Sequence, residues 1–253
     1  MHRTSQVLRL LAVLSSVWMV VVVGNVWAVP VAPEIEKTIR GNFAASRPDF
    51  VIASISTSEL PGVYAVELGS GPVVYSDAQG KYFVFGDLFQ VDPGGFRNVS
   101  EERRDVQRGD QLAGIDAEDM IVFPAEGERK AWVSVFTDVD CFYCQKLHKE
   151  VPELNRRGVE VRYLAYPRAG VGSDSYRKIA SAWCAKDKQK AITMLKNREA
   201  IPDNVCAGNP VAGQFLLGQK IGVTGTPALV LQSGKLLPGF MPADALIDRL
   251  GIN

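Results

Sequence analysis

Hydrophobic and polar residues follow different patterns in the two halves of the chain. Between residues 50 and 85, short apolar segments alternate with turn clusters of Gly, Pro, Ser and Asp, which is typical of a β-meander. The predicted strands are 50–55, 63–68, 72–76 and 81–85. Ile35 and Ile39, four residues apart, predict a short amphipathic helix before the meander that ends at Gly41.

From residue 120 onwards, strand-like and helix-like segments alternate. The predicted strands are 120–123, 132–136, 159–166, 228–231 and 236–240. Leu147, Val151 and Leu154 share one helical face, which predicts a helix after the second strand. The other predicted helical segments are 173–197, a short one from 215, and 242–250. The order β–α–β–α–β–β–α, with helical material in the middle, predicts a thioredoxin-like domain of the α+β or α/β class.

A polar segment separates the two halves. Residues 92–98 interrupt the strand pattern with Pro and Gly, and Ser100 is then predicted to be the N-cap of a helix. This helix is polar on nearly every side, as is typical of helices that connect domains through solvent. The sequence therefore predicts a domain at 29–95, a linker helix at 96–118 and a second domain at 119–253.

Composition and the first residues bear on location. Hydrophobic residues make up 47% of the chain, as in ordinary globular proteins, and 28 basic residues balance 28 acidic ones. This balance does not indicate a nucleic acid partner. Arg3 and Arg9 precede the apolar run 10–23, and the small residue Ala28 follows it. Residues 1–28 are therefore predicted to be a secretory signal peptide cleaved after Ala28, with an uncleaved membrane anchor as the alternative.

The candidate chemistry lies where the strand at 132–136 gives way to a helix. Cys141 and Cys144 are separated there by two residues. The first turn of a helix has unpaired N–H groups and the positive end of the helix dipole, and both stabilise a thiolate. Cysteines in this position have pKa values of roughly 3.5–7.5 instead of about 8.5. Cys141 is therefore predicted to be the attacking thiolate of disulfide exchange, and Cys144 the resolving thiol.

The four cysteines also allow other interpretations. An even number in an exported chain indicates pairing, so a redox pair at 141 and 144 leaves Cys184 and Cys206 as a structural disulfide. Alternatively, the first pair is a static disulfide or half of a zinc site. A zinc ion shared by all four cysteines is less compatible with the long separation between Cys184 and Cys206.

Four segments of the second half resemble the DsbC/DsbG family of bacterial periplasmic disulfide isomerases. They are 136–148 around the two cysteines, 161–168, 183–188 and 222–228. They occur in the family's order within residues 131–240, whereas the N-terminal half matches only in layout. The resemblance implies a thioredoxin-like catalytic domain with a helical insertion, preceded by a linker helix and a small cystatin-like β-meander.

The resemblance also implies an assembly and its partners. Residues 29–95 would be the dimerisation domain of a V-shaped homodimer whose two cysteine pairs face one cleft. That cleft would hold misfolded disulfide-containing exported proteins and provide chaperone activity. A second, buried disulfide is implied, as is a membrane reductase of the DsbD type that keeps Cys141 and Cys144 reduced. No metal or organic cofactor is implied.

Two pairs of residues take their roles from the resemblance. Thr226-Pro227 corresponds to a cis-proline loop against the cysteine pair, where the residue before the proline pairs with a substrate strand. Without the resemblance, Pro227 would be assigned as an ordinary trans proline. The family's usual Gly-Tyr between the cysteines is replaced here by Phe142-Tyr143. These residues shape access and redox potential, and a large aromatic side chain adds apolar contact to unfolded substrates.

Four other residues have simpler predicted roles. His148 is predicted to be exposed and inert, with modulation of the thiols as the alternative. Asp140 is predicted to cap the helix, whereas Asp138 is a candidate for proton relay or for raising a thiol pKa. Trp183 is predicted to pack in the core.

Together these interpretations predict a periplasmic protein disulfide isomerase. Cys141 would form a mixed disulfide with a substrate, which a substrate thiol or Cys144 would resolve. The alternatives are a DsbG-like reductase of single oxidised cysteines, a monomeric oxidase, and a peptide-binding chaperone with a static cysteine bridge. The extra N-terminal domain argues against a simple oxidase.

Overall fold

The computed structural model describes residues 30–69 and 73–252. The predicted signal peptide at 1–28 lies outside these residues. Within the described ranges, no helix has the length and apolarity needed to span a membrane.

The N-terminal domain is one helix packed on a four-stranded antiparallel sheet. The elements are α1 (Pro33–Ser46), β1 (Ile52–Thr57), β2 (Val63–Leu68), β3 (Val73–Asp77) and β4 (Phe83–Phe85), with the strands in sequence order. Ile39 and Phe43 of α1 pack on Val66 and Val74 of the sheet. The predicted helix end at Gly41 is wrong, because the helix continues for another turn that buries Phe43.

The segment predicted as an interruption forms a second, two-stranded sheet. Strands β5 (Phe89–Asp92) and β6 (Gly95–Asn98) pair in an antiparallel hairpin. Pro93 and Gly94 form a two-residue turn between the paired residues Asp92 and Gly95. Gly95 has a φ of +134°, a conformation that only glycine adopts readily. The Pro and Gly residues thus connect two strands instead of ending regular structure.

Helix α2 (Val99–Ala113) is attached to the second domain along part of its length. Its N-cap is Asn98, whose side chain accepts a hydrogen bond from the Glu101 N–H, and not Ser100, which is buried. Arg108 is also buried, and its Nε donates to the Gly234 carbonyl at 3.0 Å. The prediction of a purely solvent-exposed connector is therefore wrong for this side of the helix.

The second domain is a five-stranded sheet with helices on both faces. Its strands are β7 (Ile121–Phe123), β8 (Ala131–Thr137), β9 (Val159–Ala165), β10 (Ala228–Leu231) and β11 (Leu236–Pro238), in the order β11-β10-β8-β9-β7. Only β8 and β9 run parallel. The helices are α3 (Phe142–Arg156), α4 (Asp174–Trp183), α5 (Lys188–Lys196), α6 (Val211–Lys220) and α7 (Ala243–Leu250). Helices α4, α5 and α6 form the predicted insertion between β9 and β10.

Alternate residues of the central strands enter two separate cores. On one face, Val133 and Val135 pack with Leu147 of α3 and Ile192 of α5. On the other face, Phe136 packs in a second cluster that includes Leu112 of α2. Because strand side chains alternate, both faces of β8 are apolar, as expected for a strand covered by helices on each side. The strand ends at Thr137, four residues before Cys141.

Candidate active site

The end of β8 and the start of α3 place the two cysteines next to each other. Cys141 is the N-cap of α3, with an extended backbone, and Cys144 lies in the first helical turn. Both are free thiols and both are buried. The predicted strand–turn–helix arrangement is therefore present, with the first sulfur where the helix N–H groups are unpaired.

The two thiols have opposite tendencies to ionise. The hydrogen bond from the Cys144 thiol lowers the pKa of Cys141 to about 5, against the effect of burial, and Thr226 and the Cys144 backbone N–H lower it further. Burial raises the pKa of Cys144, and its hydrogen bond to Cys141 adds to this rise. Cys141 is thus a thiolate at neutral pH while Cys144 retains its proton. This is the division of roles that an attacking and a resolving cysteine need.

The loop before β10 lies against the first sulfur. The Thr226–Pro227 peptide bond is cis, and the Sγ atom of Cys141 lies 3.2 Å from the Thr226 carbonyl oxygen. The Thr226 side chain on the same loop also lowers the pKa of Cys141. This loop brings backbone polar groups to the edge of the cysteine pair.

The two residues between the cysteines are the exposed part of the site. Phe142 and Tyr143 are 61% and 56% exposed, and their rings contact each other edge-on with centroids 5.4 Å apart. Because they flank a buried sulfur, they form an apolar surface at its entrance.

The two aspartates before Cys141 organise the loop and do not cap the helix. The Asp138 carboxylate is buried and accepts hydrogen bonds from the N–H groups of Asp140 and Arg168 and from the Ser175 hydroxyl. Asp140 forms an ion pair with Lys178 at 2.9 Å. The predicted capping role of Asp140 is wrong, because Cys141 occupies the N-cap position itself.

His148 is buried, so the prediction of an exposed residue is wrong. It follows Cys144 by four residues and therefore shares the inward face of α3. Its Nδ1 lies 3.0 Å from the Tyr163 hydroxyl, and its Nε2 lies 3.0 Å from the Thr193 hydroxyl. Burial lowers the pKa of His148 to about 4, which keeps the ring neutral at physiological pH. Trp183 is buried in the core as predicted, and its indole N–H donates to the Asp119 carbonyl.

Sequence reasoning missed Lys196, which is buried close to the cysteine pair. Its ammonium group donates to the Thr137 hydroxyl at 2.6 Å and to the Asp138 carbonyl at 2.8 Å. Lys196 follows Ile192 by four residues, on the apolar face of its helix. A lysine at a core position of an amphipathic helix was the available signal.

The second cysteine pair forms a disulfide between the end of α4 and the loop before α6. Cys184 and Cys206 are joined with a Cα–Cα distance of 5.7 Å. Cys206 is exposed in a loop, and Cys184, the C-cap of α4, is half-buried. The buried location implied by the resemblance is therefore wrong, because the irregular segment between α5 and α6 lies at the surface. Two of the ligands in the zinc alternative are bonded to each other here.

This fold and this pair of thiols define a thiol–disulfide oxidoreductase with a thioredoxin-like domain. The sequence model described as a thioredoxin-like domain matches residues 117–251, and the one described as a disulfide bond isomerase protein N-terminal domain matches residues 30–101. Both parts of the predicted fold class are thereby confirmed. The chain belongs to the DsbC family of thiol:disulfide interchange proteins.

Two DsbC proteins support this assignment over about three quarters of the chain. The thiol:disulfide interchange protein DsbC of Escherichia coli K12 is 36% identical over 198 residues, which cover 78% of this chain and 80% of the relative. The Salmonella typhimurium DsbC is 37% identical over 186 residues, covering 74% and 75% of the two chains. A crystal structure of a disulfide interchange protein from Neisseria gonorrhoeae covers 54% of this chain and 96% of its own, with 31% identity and a TM-score of 0.48.

Proposed function

We propose that this protein is a periplasmic disulfide isomerase in which Cys141 is the nucleophile. Its thiolate attacks a wrong disulfide in an exported protein, forms a mixed disulfide and releases one substrate thiolate. A second substrate thiolate can then attack the mixed disulfide, which releases Cys141 and leaves a new disulfide in the substrate. Alternatively, Cys144 attacks Cys141 and releases the reduced substrate. The observation that carries this proposal is the position of Cys141, a free buried thiol at the N-cap of α3 beside the Thr226–Pro227 loop. Its neighbour Cys144 lowers the pKa of Cys141 to about 5.

Substrate binding is assigned to the groups around the sulfur. The Thr226 backbone, beside Cys141, is positioned to pair with an extended substrate segment. Phe142 and Tyr143 offer an exposed apolar contact that suits unfolded chains. These features support activity on misfolded proteins and a chaperone role.

The experiment that tests this function is the refolding of a scrambled multi-disulfide protein. The chain without residues 1–28 is expected to recover native substrate at a rate that depends on Cys141. A Cys144→Ala variant is expected to accumulate covalent adducts with the substrate, because the resolving thiol is missing. Lack of both reshuffling and adducts would refute the exchange mechanism and favour a pure binding protein.

The N-terminal domain is proposed to form a homodimer with a second copy of the chain. Strand β4 lies at an edge of its sheet, and all three of its residues are exposed. The β5–β6 hairpin exposes further large apolar side chains: Phe89, Val91 and Phe96. Unprotected apolar edge strands favour pairing with another chain, and a second copy would cover this surface.

Introducing a charge on this edge is expected to separate the dimer. Phe85 is 70% exposed, so Phe85→Asp leaves the fold of one chain intact but places a carboxylate in the proposed interface. We expect sedimentation or light scattering to give the mass of two chains for the wild type and a shift towards one chain for the variant. Leu216→Asp, at an exposed apolar site in the catalytic domain, is the matched control and should remain dimeric. A monomeric wild type would contradict the proposal.

Export and reduction complete the proposal. The basic and apolar residues at 1–28 support secretion to the periplasm. A membrane reductase of the DsbD type would return Cys141 and Cys144 to thiols after each reductive turnover.

A further inference from the structure

A buried lysine, Lys196, contacts the segment just before the cysteine pair. The attack by Cys141 described above gives this lysine no role. The Lys196 side chain reaches from the last turn of α5 into the core, and the residue is only 2% exposed. Fully buried lysines are rare unless they are paired, because removing an ammonium group from water is costly. Its two acceptors, the Thr137 hydroxyl and the Asp138 carbonyl, are neutral oxygens. A protonated Lys196 therefore places a positive charge here that these acceptors do not neutralise.

The Thr137 hydroxyl connects this charge to the resolving cysteine. Its oxygen accepts a hydrogen bond from the Lys196 ammonium at 2.6 Å, which leaves its own proton to be donated elsewhere. A hydrogen bond between the Thr137 side chain and Cys144 lowers the pKa of that thiol, and so does the charge of Lys196. The two interactions form a chain from ammonium to hydroxyl to sulfur. Chains of this kind polarise each hydrogen bond in the same direction.

The titratable groups around Lys196 lie at the start of α3 and along it, in the loop before α3, and in β9. They are Cys141, Cys144 and His148 of α3, Asp138 and Asp140 in the preceding loop, and Tyr163 of β9. Burial lowers the pKa of Lys196, whereas a Cys144 thiolate and the Asp138 carboxylate raise it. Asp138 is already held by other donors, and His148 is neutral at physiological pH. Both cysteines change charge during exchange, and both lie near Lys196. Once Cys141 is bonded to the substrate it carries no charge, so Cys144 is the thiolate that Lys196 can stabilise in the resolving step.

We propose that Lys196 is a positioning residue for the resolving step, and that it acts through Thr137 to stabilise Cys144 as a thiolate. This inference rests on the proposed exchange function. In the step, Cys144 loses its proton and its sulfur attacks the Sγ of Cys141. A Cys141–Cys144 bond forms, the Cys141–substrate bond breaks, and the substrate leaves as a thiolate that takes up a proton. Lys196 remains protonated throughout, so the electrons and protons balance between the three sulfurs.

This arrangement sets how long a substrate remains attached. Isomerisation requires that a substrate thiol resolves the mixed disulfide, whereas attack by Cys144 ends the encounter with a reduced substrate. By making the Cys144 thiolate less costly, Lys196 favours the second outcome. Its removal is therefore expected to lengthen the lifetime of the mixed disulfide and to raise the share of isomerisation over reduction.

The test separates the two cysteines kinetically with the chromogenic disulfide 5,5′-dithiobis(2-nitrobenzoate). Attack by Cys141 releases one chromophore, and the later attack by Cys144 on the mixed disulfide releases a second. Both phases are recorded across a range of pH values in the reduced full-length mature chain. A missing first phase would contradict the proposed function, whereas the second phase alone reports on Lys196.

Lys196→Met is expected to slow the second phase by about tenfold to a hundredfold. This range is the effect on a rate of losing one or two hydrogen bonds to a charged group. The pH at which this phase accelerates should also rise, since Cys144 becomes harder to ionise. The first phase should change little. Lys190→Met, on the same helix but exposed, is the matched control and should leave both phases unchanged.

A second pair of variants tests the connecting hydroxyl. Thr137→Val removes the hydroxyl without changing the side-chain shape and is expected to reproduce the slow second phase. Thr137→Ser keeps a hydroxyl and should retain the wild-type rate of that phase. The double variant of Lys196→Met and Thr137→Val should be no slower than the slower single variant, because both interrupt one chain. A second phase of unchanged rate and pH midpoint in Lys196→Met, or in Thr137→Val where Lys196→Met fails to fold, would overturn the inference.

Discussion

Alkylation of Cys141 is expected to rise with a midpoint near pH 5, and Cys141→Ser is expected to abolish thiol–disulfide exchange. The lowered pKa of about 5 makes Cys141 roughly 90% thiolate at pH 6, against roughly 0.3% for an ordinary thiol. This advantage of roughly 300-fold is partly offset, because a less basic thiolate is a weaker nucleophile, by roughly 25- to 55-fold. The net expectation is alkylation roughly tenfold faster than that of an ordinary thiol at pH 6.

The shape of the pH profile distinguishes this explanation from simple exposure. An exposed ordinary thiol would continue to gain reactivity up to pH 8 or above, whereas Cys141 should reach a plateau near pH 6 and be overtaken at alkaline pH. Cys144 should remain unmodified below neutral pH, because burial raises its pKa. Mass spectrometry of the labelled peptide assigns each rate, and Cys141→Ser supplies the background. Reactivity at pH 6 no greater than that of a free thiol would refute the thiolate account.

The same ionisation links the stability of the reduced protein to pH. The folded-state pKa of Cys141 lies below the ordinary thiol value of about 8.5, so folding favours the thiolate. This contribution is fully present above the ordinary value and is lost as the pH falls through about 5. The oxidised protein has no thiolate at this position and lacks the contribution.

Gly234→Ala is expected to destabilise the protein by detaching α2 from the catalytic domain. A Cβ atom at this position would lie 1.6 Å from the Asp105 carbonyl oxygen and 2.9 Å from the Gly109 nitrogen. Both atoms are backbone, so neither can rotate away. The residue also has a φ of +82°, which adds a conformational cost of about 1–2 kcal/mol for a side chain. The helix or the loop after β10 must therefore shift, and Arg108 loses the Gly234 carbonyl as its acceptor.

Gly127→Ala separates the steric effect from the conformational one. Gly127 has a similar φ of +76°, but an added Cβ would meet no atom within 4 Å. We expect Gly127→Ala to lower the free energy of unfolding by about 1–2 kcal/mol, and Gly234→Ala by about 1–3 kcal/mol more, the usual cost of overpacking. Urea unfolding measures both, and amide exchange in α2 should increase only in Gly234→Ala. Equal losses in the two variants would show that α2 does not pack on this loop.

The hydrophobic pattern predicted the structure correctly where an element depends on contacts between residues that are close in sequence. The strand before Cys141, the helix after it and the turn between them depend on neighbouring residues, and the structure places them as predicted. The β-meander and the thioredoxin-like order are local in the same sense. The errors at Gly41, Ser100 and Asp140 concern helix ends, where several nearby residues compete to cap the helix and tertiary contacts decide among them.

The sequence by itself determined the chemistry of this protein: a cysteine pair at a helix start, in a chain with the motifs of one family. Only the tertiary structure decided what surrounds the sulfurs. Lys196 meets Thr137 across 59 residues, and Arg108 meets Gly234 across 126. His148 and Lys196 are polar residues that sequence rules assign to solvent, and both are buried because hydrogen-bond partners from distant segments compensate for the lost hydration. The helical position of Lys196 was a local sign of burial, but its partners depend on which segments the fold brings together.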